Sequence, residues 1–298
     1  MRRYRNVAGE VCTATIACEA ARMSIALDAV PHHQRARGRA ALRFAAGPAG
    51  ARLQMLDQSA PLRVLFPDND PDEPSTAALV NVAGGLAGGD SAAFALTLEA
   101  GTRFSMTSAA AEKIYRSLGP ETEIATSLHL AEETVCEWLP QETIVFDGAR
   151  LRRRIDFALA PTARLIAAEM LVLGRAARGE VLTHGAVQDA WRLRRDGRLV
   201  WADTLRLTDP AAARASRFGL DGAGALATLV LAMPEAAAHR ALARDLADGG
   251  ASLVAPGLLL ARWQGEASAV RAALGAALMA LRAAAFGHPA RLPRLWRT

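Results

Sequence analysis

The sequence predicts a mainly β protein of antiparallel sheets, with two α-helices in its C-terminal third. Three observations carry that prediction. Through the middle of the chain, apolar residues recur at every second position, the period of a strand with one buried face. Asp-Gly pairs at 147–148, 196–197, 221–222 and 248–249 supply turns, because Gly accepts positive φ. A helical period is found late, from Glu235 onward.

Taken in order, residues 1–34 show no clear period and are expected to form a poorly ordered leader ahead of a single domain over 35–298. Ala41-Leu42-Arg43-Phe44 alternates, Pro48-Ala49-Gly50 turns, and Leu53 to Leu56 resumes the strand pattern. PDNDPDEP at 67–74 is a loop of proline and acid. Four strands follow by alternation: Ala93–Glu99 with Phe94, Leu96 and Leu98 on one face, Gly101–Ser108 with Phe104 and Met106, Glu123–Leu130 with Ile124, Leu128 and Leu130, and Arg154–Leu159 with Ile155, Phe157 and Leu159. The clearest hairpin runs from Trp191–Arg195 through Asp196-Gly197 into Leu199–Leu207. The helices are Glu235–Ala247, stopped by Gly249 and Gly250, and Glu266–Phe286. The second carries a stripe of Val270, Leu274, Leu278 and Leu281 and ends at Gly287 and Pro289. Strands first and helices last argue against a βαβ parallel sheet.

Composition narrows the function classes. Apolar stretches such as Leu165–Leu173 and Ala223–Met233 fall short of the roughly 20 residues that span a bilayer, so no membrane segment is expected. No signal peptide is read at the N-terminus. Cys12, Cys18 and Cys136 form no CxxC, which fits a reducing cytoplasm rather than a disulfide scaffold. The net charge of +5 would permit nucleic-acid binding, but the arginines are dispersed and aromatic residues make up only 5%, which leaves little stacking surface. Arg152-Arg153-Arg154 reads as a solvated strand face. Lys113 is the single lysine, so a compact ammonium there is either required or accidental.

Four segments carry polar chemistry. Asn81–Asp90 contains Gly84, Gly85, Gly88, Gly89 and Asp90. It lacks a following Gly-Lys-Ser/Thr, and a strand rather than a helix comes next, so it is either a tight turn with close backbone approach or a weak nucleotide loop. Ser108–Ser117 brings Glu112, Lys113, Tyr115 and Arg116 together as an anion or carboxylate site or as local ion pairs. Glu137–Ala149 holds Trp138, Pro140, Gln141 and Glu142, with Glu137 between Val135 and Leu139 on one strand face. Such a carboxylate must be paired, hydrogen-bonded or hydrated. Glu169–Glu180 places Glu169 in an apolar strand, then Arg175 and Glu180 around a loop. His32, His33, His129, His184, His239 and His288 are scattered, no hydrolase or zincin motif is present, and no stable metal site is predicted.

Together NVAGGLAGGD (81–90), AEKIYRS (111–117), EWLPQETIVFDGA (137–149) and LGRAARGE (173–180) resemble the urease accessory protein family called UreD or UreH, in register over 39–298. The resemblance implies a mainly β, non-enzymatic protein that binds urease apoprotein and UreF, which recruits the GTPase UreG, so that GTP hydrolysis helps load nickel. It implies no stably bound cofactor, with nickel in transit through a polar passage in which Glu142 and Glu180 match acidic positions. Glu137 and Glu169 join them from their placement on apolar strands. The alternative function is a small-molecule or nucleotide-binding enzyme using Gly84–Asp90.

Overall fold

A computed structural model describes residues 35–297. The expected leader, with His32, His33, Cys12 and Cys18, lies outside the described residues. The strands are β1 (Arg37–Gly47), β2 (Gly50–Ser59), β3 (Leu62–Leu65), β4 (Ser75–Asn81), β5 (Ser91–Leu98), β6 (Arg103–Ser108), β7 (Glu112–Ile114), β8 (Thr122–Leu130), β9 (Val135–Leu139), β10 (Thr143–Val145), β11 (Arg150–Leu159), β12 (Arg164–Leu173), β13 (Ala186–Arg195) and β14 (Arg198–Leu207). After these come helix α1 (Pro210–Ala215), β15 (Ala225–Ala232), helix α2 (Arg240–Leu246), β16 (Ala251–Ala255), β17 (Leu258–Gly265) and helix α3 (Ala267–Phe286).

The strands form a seven-stranded sheet, ordered β14-β13-β11-β8-β5-β1-β2, and a ten-stranded sheet whose main path is β16-β17-β15-β12-β9-β6-β4-β3. The mainly β prediction holds, but the pairing is mixed rather than antiparallel. From β4 to β13 the chain alternates between the sheets, apart from the short β7 and β10, which follow β6 and β9 within the ten-stranded sheet, so in-sheet neighbours such as β5, β8, β11 and β13 run parallel. The same is true of β4, β6, β9 and β12. Each crossover that parallel pairing demands is supplied by a strand of the opposite sheet instead of a helix. Period-2 alternation reports only that one face is wet and carries no record of strand direction, which is why it could not distinguish the two cases. Antiparallel pairing is kept at hairpins, including β13–β14, where Asp196 and Gly197 both take the positive φ of a tight two-residue turn.

The sheet faces sort the side chains into two cores. Between the sheets pack Phe94, Leu96 and Leu98 of β5, Leu128 of β8, Ile155 and Phe157 of β11, and Leu165, Ala167, Leu171 and Leu173 of β12. Ile166, Ala168, Met170 and Val172, the alternate residues of β12, face outward onto Val270, Leu274, Leu278 and Leu281 of α3. Each of those four helix residues contributes about 1.5–3 kcal/mol by burial. Helix α3 starts where the Glu266 carboxylate accepts the Ala269 N–H and ends at Gly287, which adopts φ 65°. By length and hydropathy this helix could cross a membrane, which the segments weighed from sequence did not anticipate. Here its leucine stripe is covered by a sheet, and Arg282 within it is fully buried in an ion pair.

Candidate functional site

Alternation along β11 puts Leu151, Arg153, Ile155, Phe157 and Leu159 on the inward face, so Arg153 enters the inter-sheet core while Arg152 and Arg154 stay in solvent. The triple-arginine run is therefore only partly the solvated face that composition suggested. On β13 the same logic turns Val187, Asp189, Trp191 and Leu193 inward, and on β12 it puts Glu169 between Ala167 and Leu171. Parallel register sets Arg153 beside Asp189, and Glu169 reaches them from the opposite sheet.

Arg153, Glu169 and Asp189 are 3%, 6% and 7% exposed. Arg153 Nε and Nη2 donate to the two Asp189 carboxylate oxygens, each at 2.8 Å. Nη1 donates to Glu169 Oε2 and, at 3.1 Å, to Thr143 Oγ1. Trp138 Nε1 donates to the other Glu169 oxygen at 2.8 Å, and Trp191 Nε1 donates to Asp189 at 3.3 Å. Burial pulls the Arg153 pKa down, but Asp189 and then Glu169 more than reverse this, so the guanidinium stays charged. Burial pushes the Glu169 carboxyl up, and the Asp189 charge adds to that push against the pull of Arg153. Two acids share one base, so the triad has one carboxyl more than its guanidinium can neutralise.

Cavities lie on either side of this triad. One, of about 390 Å³, is lined by Arg153, Glu169 and Asp189 and opens between β14 and β17, where Asp203 and Arg262 pair at 2.6 Å. The other, of about 160 Å³, is lined by Arg153 and Glu169 together with Trp138, Thr143, Gln141 and Pro140, and it extends to Asn81, Gly84, Glu112 and Lys113. Glu112 there has no guanidinium partner among the described residues. Its oxygens accept from Asn81 Nδ2 at 3.0 and 3.2 Å, and burial raises its pKa against that help.

The glycine segment closes against the β7 region. A Cβ on Gly85 would come within 2.6 Å of the Tyr115 ring, and one on Gly88 within 2.1 Å of Ser117 Oγ. Tyr115 donates its hydroxyl proton to Gly84 O at 2.9 Å. Backbone N–H groups of Gly84, Leu86, Gly89 and Asp90 bond to Asn81, Lys113, Glu121 and Ala87 carbonyls, and Ala87 N–H bonds to the Asp90 carboxylate. Much of the loop's donor set is thus used inside the protein, and β5 follows it directly, so the helix dipole of a nucleotide loop is missing.

The other predicted carboxylates lie elsewhere. Glu137 faces α3, not the inter-sheet space. It accepts from Arg282 Nε and His288 Nδ1, both at 2.7 Å. Burial raises its pKa, but His288 and Arg282 together hold it below the usual range. Glu142 pairs with Arg271 of α3, whose Nη2 also donates to Gln141 Oε1 at 2.9 Å. Glu180 pairs with Arg175, whose Nε lies 2.9 Å away and whose guanidinium sits 4.7 Å from the Phe146 ring centre. The Arg175 hydrogen bond lowers the Glu180 pKa, and Glu180 lines a third cavity of about 480 Å³. Lys113 and Arg116 are exposed. Only Glu169, among the four carboxylates singled out from sequence, lines the cavities flanking Arg153. Arg153 and Asp189 were missed, although extending the alternation of Ile155, Phe157 and Leu159 backward would have turned Arg153 inward, while Glu112, the acid of the 108–117 segment, lines the smaller cavity. No group of three or more His, Cys, Asp or Glu suited to a metal ion occurs among the described residues.

Comparison with known proteins bears on this geometry. The family model described as UreD urease accessory protein matches residues 36–297. The chain is 51% identical over 238 residues to the urease accessory protein UreD of Granulibacter bethesdensis, an alignment covering 78% of this chain and 99% of that one. It is 42% identical over 280 residues to that of Methylobacterium sp. strain 4-46, covering 90% and 97%. With that of Magnetococcus marinus it shares 41% over 264 residues, covering 83% and 89%.

Proposed function

The chain belongs to the UreD urease accessory protein family, and on that premise we propose that it is a non-enzymatic maturation factor needed to place nickel in urease. It acts in the cytoplasm with UreF, the GTPase UreG and urease apoprotein, the partners its family resemblance implies. It engages neither nucleic acid nor membrane. Nickel is cargo, and it travels through the space between the two sheets.

The observation that supports this route is the pair of cavities sharing Arg153 and Glu169 as a common wall. A sandwich core is ordinarily filled with apolar side chains, whereas this one holds the buried Glu169 and Asp189, with Glu112 lining the smaller cavity and Asp203 at the mouth of the larger. Isolated carboxylates and hydroxyls suit a cation that must be released again, while several converging histidines would retain it. Glu142 and Glu180 remain candidate carboxylates toward the surface, each now held by an arginine, and Glu137 is the weakest of the set because it faces α3.

The test is nickel per urease active site in cells co-expressing the urease operon with the wild-type chain, with none, or with Glu169→Gln. Apo-urease without the chain and reduced metal with Glu169→Gln are expected. Full metallation in the absence of the chain would overturn the accessory role. Full metallation with Glu169→Gln at limiting nickel would overturn the inter-sheet route.

A further inference from the structure

Arg153 is a buried cation standing on the route proposed for a cation, and that placement needs an account. Its side chain crosses from one sheet to the other and contacts both core carboxylates and Thr143. It lines both cavities. A divalent ion arriving at Glu169 from either side would meet a fixed positive charge in a medium that screens poorly. With Arg153 in place, Glu169 and Asp189 also have their oxygens committed, to the guanidinium and to Trp138 and Trp191.

We propose that Arg153 is the gate of the inter-sheet route, a tethered cation that yields Glu169 to a divalent ion and then reclaims it. This rests on the inter-sheet reading of function. The charges allow the exchange. With Arg153 seated, an ionised triad carries one net negative charge, and a divalent ion between the two carboxylates would bring the pair to neutrality. Room exists for the displaced side chain, because the larger cavity adjoins it and has Asp203 at its mouth. Return of the guanidinium then competes the metal off the carboxylates, so the site passes nickel on without storing it. Arginine suits the task because its planar fork grips Asp189 through two nitrogens while the third donates to Glu169, a bidentate geometry that a lysine ammonium cannot reproduce.

The experiment is a titration of the full-length chain with nickel sulfate, read by calorimetry, for wild type, Arg153→Met, Arg153→Lys and Arg153→Met with Glu169→Gln. Removing the tethered cation should leave two carboxylates open to metal. Arg153→Met is then expected to bind nickel about tenfold more tightly than wild type, and the double variant to lose the gain. In the urease assay Arg153→Met should hold nickel back, lowering urease metal at limiting nickel and recovering at excess. A folded Arg153→Met with wild-type nickel affinity overturns the gate. Should Arg153→Met fail to fold, Arg153→Lys decides. Its point charge frees one carboxylate, so about threefold tighter binding is expected, and unchanged affinity overturns the proposal. The two readings separate cleanly. Normal urease activation by Glu169→Gln removes the route and the gate with it, whereas a defective Glu169→Gln beside unchanged nickel affinity in both Arg153 variants removes the gate alone.

Discussion

Replacing Glu137 with Gln should destabilise this protein substantially while leaving the lining of the two cavities beside Arg153 unchanged. Glu137 is fully buried and accepts from Arg282 Nε at 2.7 Å, Arg282 Nη2 at 3.2 Å and His288 Nδ1 at 2.7 Å. His288 Nε2 lies 3.0 Å from Arg103 Nη2. Arginine can only donate, so Nε2 accepts and the proton sits on Nδ1, directed at Glu137. Removing one member of a buried ion pair costs about 3–5 kcal/mol, because the other charge is left without compensation. Arg282 would still reach Glu73 at 2.5 Å and the Arg291 carbonyl at 2.5 Å, which places the expected loss near the lower end. For a chain of this size about 3 kcal/mol corresponds to a fall in Tm of roughly 6–12 °C, measurable by circular dichroism. The sign of the pH effect follows from the lowered carboxyl pKa. Its stabilisation is complete above the unfolded value of about 4.3 and is lost as pH falls toward and below the folded value. Wild type should therefore lose Tm on acidification more steeply than Glu137→Gln does. A Tm within about 2 °C of wild type at neutral pH would refute the claim that this pair pins α3 to β9.

Other outcomes follow from the same geometry. Glu112→Gln should not lower Tm at pH 7, because burial already disfavours the charged carboxyl. The raised pKa means stability falls as pH rises from the unfolded value toward the folded one, and a melting series over pH 4–8 should show that slope vanish in the variant. Gly88→Ala should cost about 1–3 kcal/mol in urea denaturation, since its new methyl would overlap Ser117 Oγ and lie 2.7 Å from Pro120 O; unchanged stability would show that the loop can give way. Glu142→Ala combined with Glu180→Ala should lower urease nickel at limiting metal while co-purification of the accessory complex stays normal. Ion pairs this open to solvent contribute little to stability, so a large fall in Tm would instead assign these residues a structural role.

What could be read from the sequence was local. The strand positions of β5 and β8, the Asp196-Gly197 hairpin and the long helix α3 follow from periodicity and turn residues and occur near the expected bounds, whereas β11 begins earlier, at Arg150, and α2 is confined to Arg240–Leu246 behind a 3-10 turn at Ala236–His239. Strand direction was not legible, since the side-chain period is two whichever way a neighbour runs. The carboxylate Glu169 stood out because it interrupts an apolar run. Arg153 did not, because it sits between two solvent-facing arginines and composition grouped all three together. Asp189 was hidden in the same way by the short inward pattern of Val187, Trp191 and Leu193. Contacts between Glu137 and Arg282, or Glu142 and Arg271, span 145 and 129 residues along the chain, a separation at which pattern reading has no purchase.

The two buried charge clusters differ in a way that separates support from function. Around Glu137, the cations Arg282 and Arg291 answer the carboxylates Glu137 and Glu73, and His288 fills the remaining contact. That cluster fastens α3, the 67–74 loop and the chain end to β9, and Glu137 lines neither cavity beside Arg153. Around Glu169 two carboxyl groups share one guanidinium, and open space lies on both sides. Replacing a buried ion triad with well-packed apolar residues is often neutral or stabilising, so stability alone gives no reason to keep one here. An apolar triple substitution, Arg153→Met with Glu169→Leu and Asp189→Leu, discriminates between the two roles. If the triad serves transit, the variant should fold at least as stably as wild type by thermal melting and still fail to metallate urease. A variant that both folds and activates would mean that neither triad nor cavities carry nickel.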